Sequence, residues 1–102
     1  MCQNMQHAIQ DPSRRAAVIE CLRQFSDKVV EDQITYHSDL EIDLGLDSFS
    51  GVELACEFTA RLGVQIPKKD NPLTCVDPDT GNKRFRRFGE LLDYLAELPP
   101  SQ

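Results

Sequence analysis

Two stretches of helical pattern are separated by sixteen residues, 32–47, too many for a passive turn and too apolar for a solvated linker. Ile34, Leu40, Ile42, Leu44 and Leu46 are spaced through the segment, so it is expected to lie down on the flanking helices with its acids outward. It closes with Gly45-Leu46-Asp47-Ser48, and a helical pattern follows at once. Upstream, Asp11-Pro12 reads as a helix start, an N-cap acid followed by proline at the first helical position. Ile19, Leu22, Phe25 and Val29 then recur at helical spacing, which predicts an amphipathic helix over about 12–31.

Downstream, a second helix is predicted over about 48–62, with an inner stripe of Val52, Ala55 or Cys56, Phe58 or Thr59, and Leu62. Gly63 stops it as a C′ residue, and Pro67 forbids a restart at that point. A short turn of helix is expected within 68–74. Two short runs flanking Pro78-Asp79-Thr80-Gly81 predict a hairpin or ordered loop over 73–86. Phe88, Leu91, Leu92, Leu95 and Leu98 mark a last helix, about 86–98, which Pro99-Pro100 ends. The fold class is therefore all-α, a small three- to four-helix bundle with a hairpin or loop insert before the last helix. At 102 residues the chain makes one domain: a flexible N-terminus at 1–10, the domain at 11–98, and a tail at 99–102.

The net charge is −6, and it is unevenly placed. Residues 31–57 hold Glu31, Asp32, Asp39, Glu41, Asp43, Asp47, Glu53 and Glu57 and no Lys or Arg. Such a field argues against nucleic acid or an anionic membrane as main partner and suits a protein with a basic face. No run approaches the length of a membrane-spanning helix, and Met1–Gln10 lacks the apolar core of a signal peptide. Cys2, Cys21, Cys56 and Cys75 show neither CxxC nor Cys/His ligand spacing. The expectation is a soluble, cytoplasmic monomer.

Three chemistries fail on spacing. Asp39-Leu40-Glu41-Ile42-Asp43 alternates acids as a calcium loop does, but Leu44 stands at the position needing Gly and Ser50 at the position needing Glu. Gly45-Leu46-Asp47-Ser48 is no nucleophile elbow, since Leu46 and Ser50 fill the two glycine places; of the two histidines, only His37 lies within reach in sequence. The basic run Lys83-Arg84-Phe85-Arg86-Arg87 reads as a solvated hairpin strand, or as pairing with the acidic stretch or with a partner. What remains is Ser48, exposed at a helix start with no base beside it: an attachment point and not a catalyst.

At these residues the chain resembles the acyl carrier proteins. Asp43-Leu44-Gly45-Leu46-Asp47-Ser48 is similar to their D-L-G-x-D-S motif, Val52-Glu53-Leu54 to the V-E-L that follows, and Gly63-Val64-Gln65-Ile66-Pro67 to the G-x-x-I-P that ends their second helix. Asp93-Tyr94-Leu95 and Ile34-Thr35 also fit. The resemblance implies a non-enzymatic carrier of acyl-carrier type with 4′-phosphopantetheine on Ser48, holding acyl groups as thioesters. The implied partners are a phosphopantetheinyl transferase, which loads the group, and acyl-loading, acyl-transfer or condensing enzymes of a specialised fatty-acid, lipid or polyketide pathway. Asp43, Asp47, Glu53 and Glu57 are the expected docking acids. The chain departs from the family at Phe49, at Ser50 and Thr59–Arg61, at Lys68-Lys69, and in the 73–86 insert. The alternative is a carrier-like adaptor without the prosthetic group.

Overall fold

The computed structural model describes residues 12–100, so the expected cap at Asp11 and the N-terminal segment lie outside the described residues. Three helices form, α1 (Pro12–Arg23), α2 (Ser50–Leu62) and α3 (Phe88–Glu97), with a 3-10 turn at Glu31–Gln33. An antiparallel pair, β1 (Thr74–Val76) and β2 (Lys83–Phe85), stands before α3 with Cys75 opposite Arg84. The domain is thus a small helical bundle with a two-stranded insert. None of the helices is long and apolar enough to cross a membrane.

α1 packs against α2, and the core joins Val18, Ile19 and Leu22 of α1 to Leu54 and Phe58 of α2 and to Phe88, Leu91, Leu92 and Leu95 of α3. The long connection contributes as much as a helix does, through Val29, Ile34, Leu40, Leu44 and Leu46. Arg14 fastens α1 to the end of α3, donating to the Leu95 carbonyl at 2.9 Å. There a cation also meets the negative end of the helix dipole.

Several sequence expectations need correction. α1 stops at Arg23 and not near residue 31. The Gln24 and Phe25 N–H groups turn to carbonyls three residues back, and the Ser26 hydroxyl donates to the Leu44 carbonyl, which draws the chain off the helix. Val29 is buried all the same, from an irregular segment. Ile42 is 72% exposed, because residues 39–45 curl with helix-like bonds that put Leu40 and Leu44 inward and Ile42 on the opposite side.

The inner stripe of α2 is Gly51, Leu54 and Phe58, whereas Val52 is 73% exposed and Cys56 faces solvent. The helix is apolar on two sides, and the larger pair, Leu54 and Phe58, takes the core. No helix forms over 68–74: Pro72 disfavours helical backbone at Asn71, whose side chain accepts the Leu73 N–H. Among the described residues, the ion pairs of the basic run fall outside the acidic stretch. Arg84 grips Glu90 through two bonds of 2.9 and 2.8 Å and lies 3.6 Å from Asp77. Arg86 donates to the Pro72 carbonyl and lies 4.1 Å from the centre of the Tyr94 ring, and Arg87 donates to the His37 carbonyl.

Other expectations hold in outline. Gly63 closes α2 in left-handed conformation and the hairpin forms within 73–86. α3 begins and ends within two residues of the expected bounds. Beyond α3, the Pro99 carbonyl accepts the Gln65 N–H at 2.8 Å.

Candidate functional site

Residues 39–51 are built from backbone bonds closed by acidic side chains. The Asp39 carboxylate accepts the N–H groups of Glu41 and Ile42, at 2.8 and 2.9 Å, and the Asp43 carboxylate accepts the Asp39 N–H at 2.7 Å. The alternating acids singled out in sequence therefore brace a turn. No group of three or more His, Cys, Asp or Glu among the described residues could hold a metal. Gly45 takes φ 70°, a region that disfavours side chains, and a Cβ there would press on the Ser26 hydroxyl and the Lys28 chain.

α2 proper begins at Ser50, two residues later than expected. Ser48 and Phe49 lie in a tight turn, in which the N–H groups of Ser50 and Gly51 bond the carbonyls of Asp47 and Ser48. The Asp47 carboxylate accepts both the N–H and the hydroxyl of Ser50, at 3.0 and 3.2 Å, and so does the capping expected of the residue at the helix start. Ser48 is exposed, and its hydroxyl makes no hydrogen bond among the described residues. Its carbonyl is held twice, by the Gly51 N–H at 3.2 Å and by the side-chain amide of Asn71 at 2.9 Å. His37 is exposed and packs edge-on to Tyr36.

Around this turn the surface is acidic and apolar at once. Phe49 is 86% exposed beside the serine. One helical turn beyond Ser48, Val52 opens a groove of about 420 Å³, where Ala55, Cys56 and Thr59 of α2 face Ile66 and Pro67. The Thr59 hydroxyl is bonded to the Ala55 carbonyl, so a polar group is turned back into the helix. Glu53 is exposed, and Glu57, one turn further along the same face of α2, accepts a 3.4 Å bond from Gln24. Of the four expected docking acids, Asp43 and Asp47 are already fixed by bonds to backbone N–H groups.

Asn71 was invisible to sequence reasoning. Two signals could have pointed to it: the Asn-Pro dipeptide as a turn mark, and Gly51 as a glycine where the helical pattern starts.

On a small bundle the chain thus presents an exposed serine, with an apolar groove one helical turn away. The sequence model of the family described as phosphopantetheine attachment site matches residues 16–70, more than half of the chain, and the chain belongs to that family. No solved structure matches it. A protein of this family carries 4′-phosphopantetheine covalently, and carriers of this kind are typically non-catalytic and work with a phosphopantetheinyl transferase and partner enzymes. The residues present fit the group. The Ser48 hydroxyl is accessible, and an anion attached there stands on the N-terminal side of α2, where the helix dipole favours negative charge.

Proposed function

We propose that this chain is an acyl carrier whose 4′-phosphopantetheine is attached to Ser48. The observation that carries the reading is the Ser48 hydroxyl: exposed, without a hydrogen bond among the described residues, and inside the matched segment. In loading, Ser48 Oγ forms a bond to the phosphorus of the phosphopantetheine half of coenzyme A. The pyrophosphate bond breaks, adenosine 3′,5′-bisphosphate leaves, and the hydroxyl proton passes to a base of the transferase. Once attached, the group supplies a terminal thiol that holds an acyl chain as a thioester.

The chain itself supplies presentation and docking and catalyses nothing. Asp43, Asp47, Glu53 and Glu57 give the field that steers a basic partner, and the exposed Phe49 and Val52 give the apolar contact at its centre. The pathway served is a specialised fatty-acid, lipid or polyketide pathway, because the helix that follows Ser48 carries Thr59, Ala60 and Arg61 where a strongly acidic run is usual in the family. Residues 11–98 act as a single carrier domain, as a monomer in the cytoplasm.

The test is intact mass after incubation with coenzyme A, Mg²⁺ and a broad-specificity transferase. One added phosphopantetheine is expected, and none in Ser48→Ala. A parent protein that gains no mass, or a Ser48→Ala variant that gains it, refutes the assignment.

A further inference from the structure

One side chain reaches the attachment turn from far along the chain. Asn71, twenty-three positions beyond Ser48, donates from its amide nitrogen to the Ser48 carbonyl at 2.9 Å. Its amide oxygen accepts the Leu73 N–H at 2.9 Å, so both ends of the amide are engaged and its plane is fixed. Gly51 is buried beneath it, and a Cβ at residue 51 would collide with the Asn71 side chain. The space at Gly51 is therefore filled by Asn71, and that close approach gives the bond to Ser48.

Asn71 is held in turn by the insert. Its carbonyl accepts the Thr74 N–H where β1 begins. The Arg86 N–H donates to the Leu73 carbonyl at 2.8 Å, and the Arg86 side chain donates to the Pro72 carbonyl at 3.0 Å. On the near side of Asn71, the Asp70 carboxylate accepts the Tyr94 hydroxyl at 3.1 Å, and Arg86 covers that same ring. The segment 70–74 is thus pinned from the hairpin and from α3, and its one side-chain bond to the attachment turn falls on the serine.

We infer that Asn71 is a positioning residue for the loading reaction: by clamping the Ser48 carbonyl it fixes the backbone under the nucleophilic hydroxyl. The inference rests on the reading of Ser48 as the attachment residue. The turn holding Ser48 and Phe49 is closed by bonds of 3.2 Å between residues three apart, the shorter and weaker helical pattern, so it gains most from an external anchor. A serine whose backbone wanders presents its oxygen in line with the phosphorus less often, which lowers the rate of the bound complex and leaves docking unchanged. The Asn71 side chain bonds Ser48 and Leu73 and neither Glu53 nor Phe49, the residues assigned above to docking.

The discriminating variant is Asn71→Asp. It keeps an oxygen for the Leu73 N–H and replaces the donor to Ser48 with a second acceptor. With coenzyme A, Mg²⁺ and a broad-specificity transferase, the expected result is a kcat for loading about tenfold lower with KM within about twofold of the parent. Hydrogen exchange of the Gly51 amide should quicken while that of Leu73 stays slow. Gly51→Ala attacks the same contact from the other side. A plain helix-propensity argument makes it neutral or favourable for folding, yet it should slow loading to a similar degree. The inference is overturned if Asn71→Asp loads at the parental rate. It is overturned equally if kcat falls only in step with melting temperature while Gly51 keeps its protection. Failure of the parent itself to load would be a different result, removing the Ser48 assignment and the clamp's role with it.

Discussion

Two helices of this domain begin beside an acidic side chain, and the two beginnings are opposites. At α3, Glu90 reaches back to the Arg87 N–H at 2.8 Å and is gripped by the Arg84 guanidinium. Arg84 holds its carboxyl well below the usual range, at about 2, with the Arg87 N–H adding to the effect. At α2, Asp47 instead reaches forward to the Ser50 N–H, has no ion pair among the described residues, and is followed by an exposed serine and an exposed phenylalanine. One start is closed by an ion pair, whereas the other leaves a serine hydroxyl exposed. Capping serves folding at both; under the proposed function, the α2 start is the one left open for a partner.

The comparison presumes that α2 lies with Leu54 and Phe58 inward, and the largest effect tests that. Phe58 is 0% exposed, so Phe58→Ala should destabilise by roughly 3–5 kcal/mol in chemical denaturation. A change near zero would mean that the helix is turned the other way and that its start faces elsewhere.

Next comes the closed start. Glu90→Gln should cost about 1 kcal/mol, a modest figure because the Arg84–Glu90 pair is 35% exposed on each side and screened. The sign with pH follows from the lowered pKa. The folded protein binds the Glu90 proton less readily than the unfolded chain, so the stabilisation is fully present above the usual carboxylate range. It is lost as pH falls toward about 2. The parent's melting temperature should therefore drop more steeply than that of Glu90→Gln over this window, and parallel curves would remove the ion pair from the account.

The open start should respond in the reverse sense. Asp47→Asn preserves a capping oxygen, so stability should move by only a few tenths of a kcal/mol. Combined with Glu53→Lys it should slow transferase loading severalfold at low salt, the difference shrinking as salt is raised. If Asp47→Asn cost as much stability as Glu90→Gln, or if the charge changes left the low-salt rate untouched, the two helix starts would not differ as described.

Much of this was legible in the sequence because it depends on neighbours in the chain. Asp43–Ser48, the stop at Gly63, the hairpin around Pro78–Gly81 and the last helix rest on local turn chemistry and periodicity. What escaped depends on partners that sequence does not bring together. The end of α1 is set by Ser26 bonding Leu44 across the long connection. The burial of α2 could not be decided from spacing, since Val52, Ala55 and Cys56 make as good a stripe as Leu54 and Phe58. Only the bulk of the core settles which one turns in. Asn71 carries no chemistry of its own and matters only through the serine and the glycine it touches.

Cys56 has a practical bearing. Burial pushes the Cys21 thiol up and hides it, Cys75 is half-buried, and Cys56 stands open in the groove wall two helical turns past Ser48. A maleimide dye or an alkylating trap aimed at the carrier's arm will therefore mark the protein's own sulfur too, and a count of reactive thiols will overstate the loaded fraction. Among the described residues, Cys56→Ser removes the exposed thiol, and Cys2, which lies outside them, has to be replaced as well before that ambiguity is gone. Conversely, a fluorophore on Cys56 alone becomes a reporter seated in the groove.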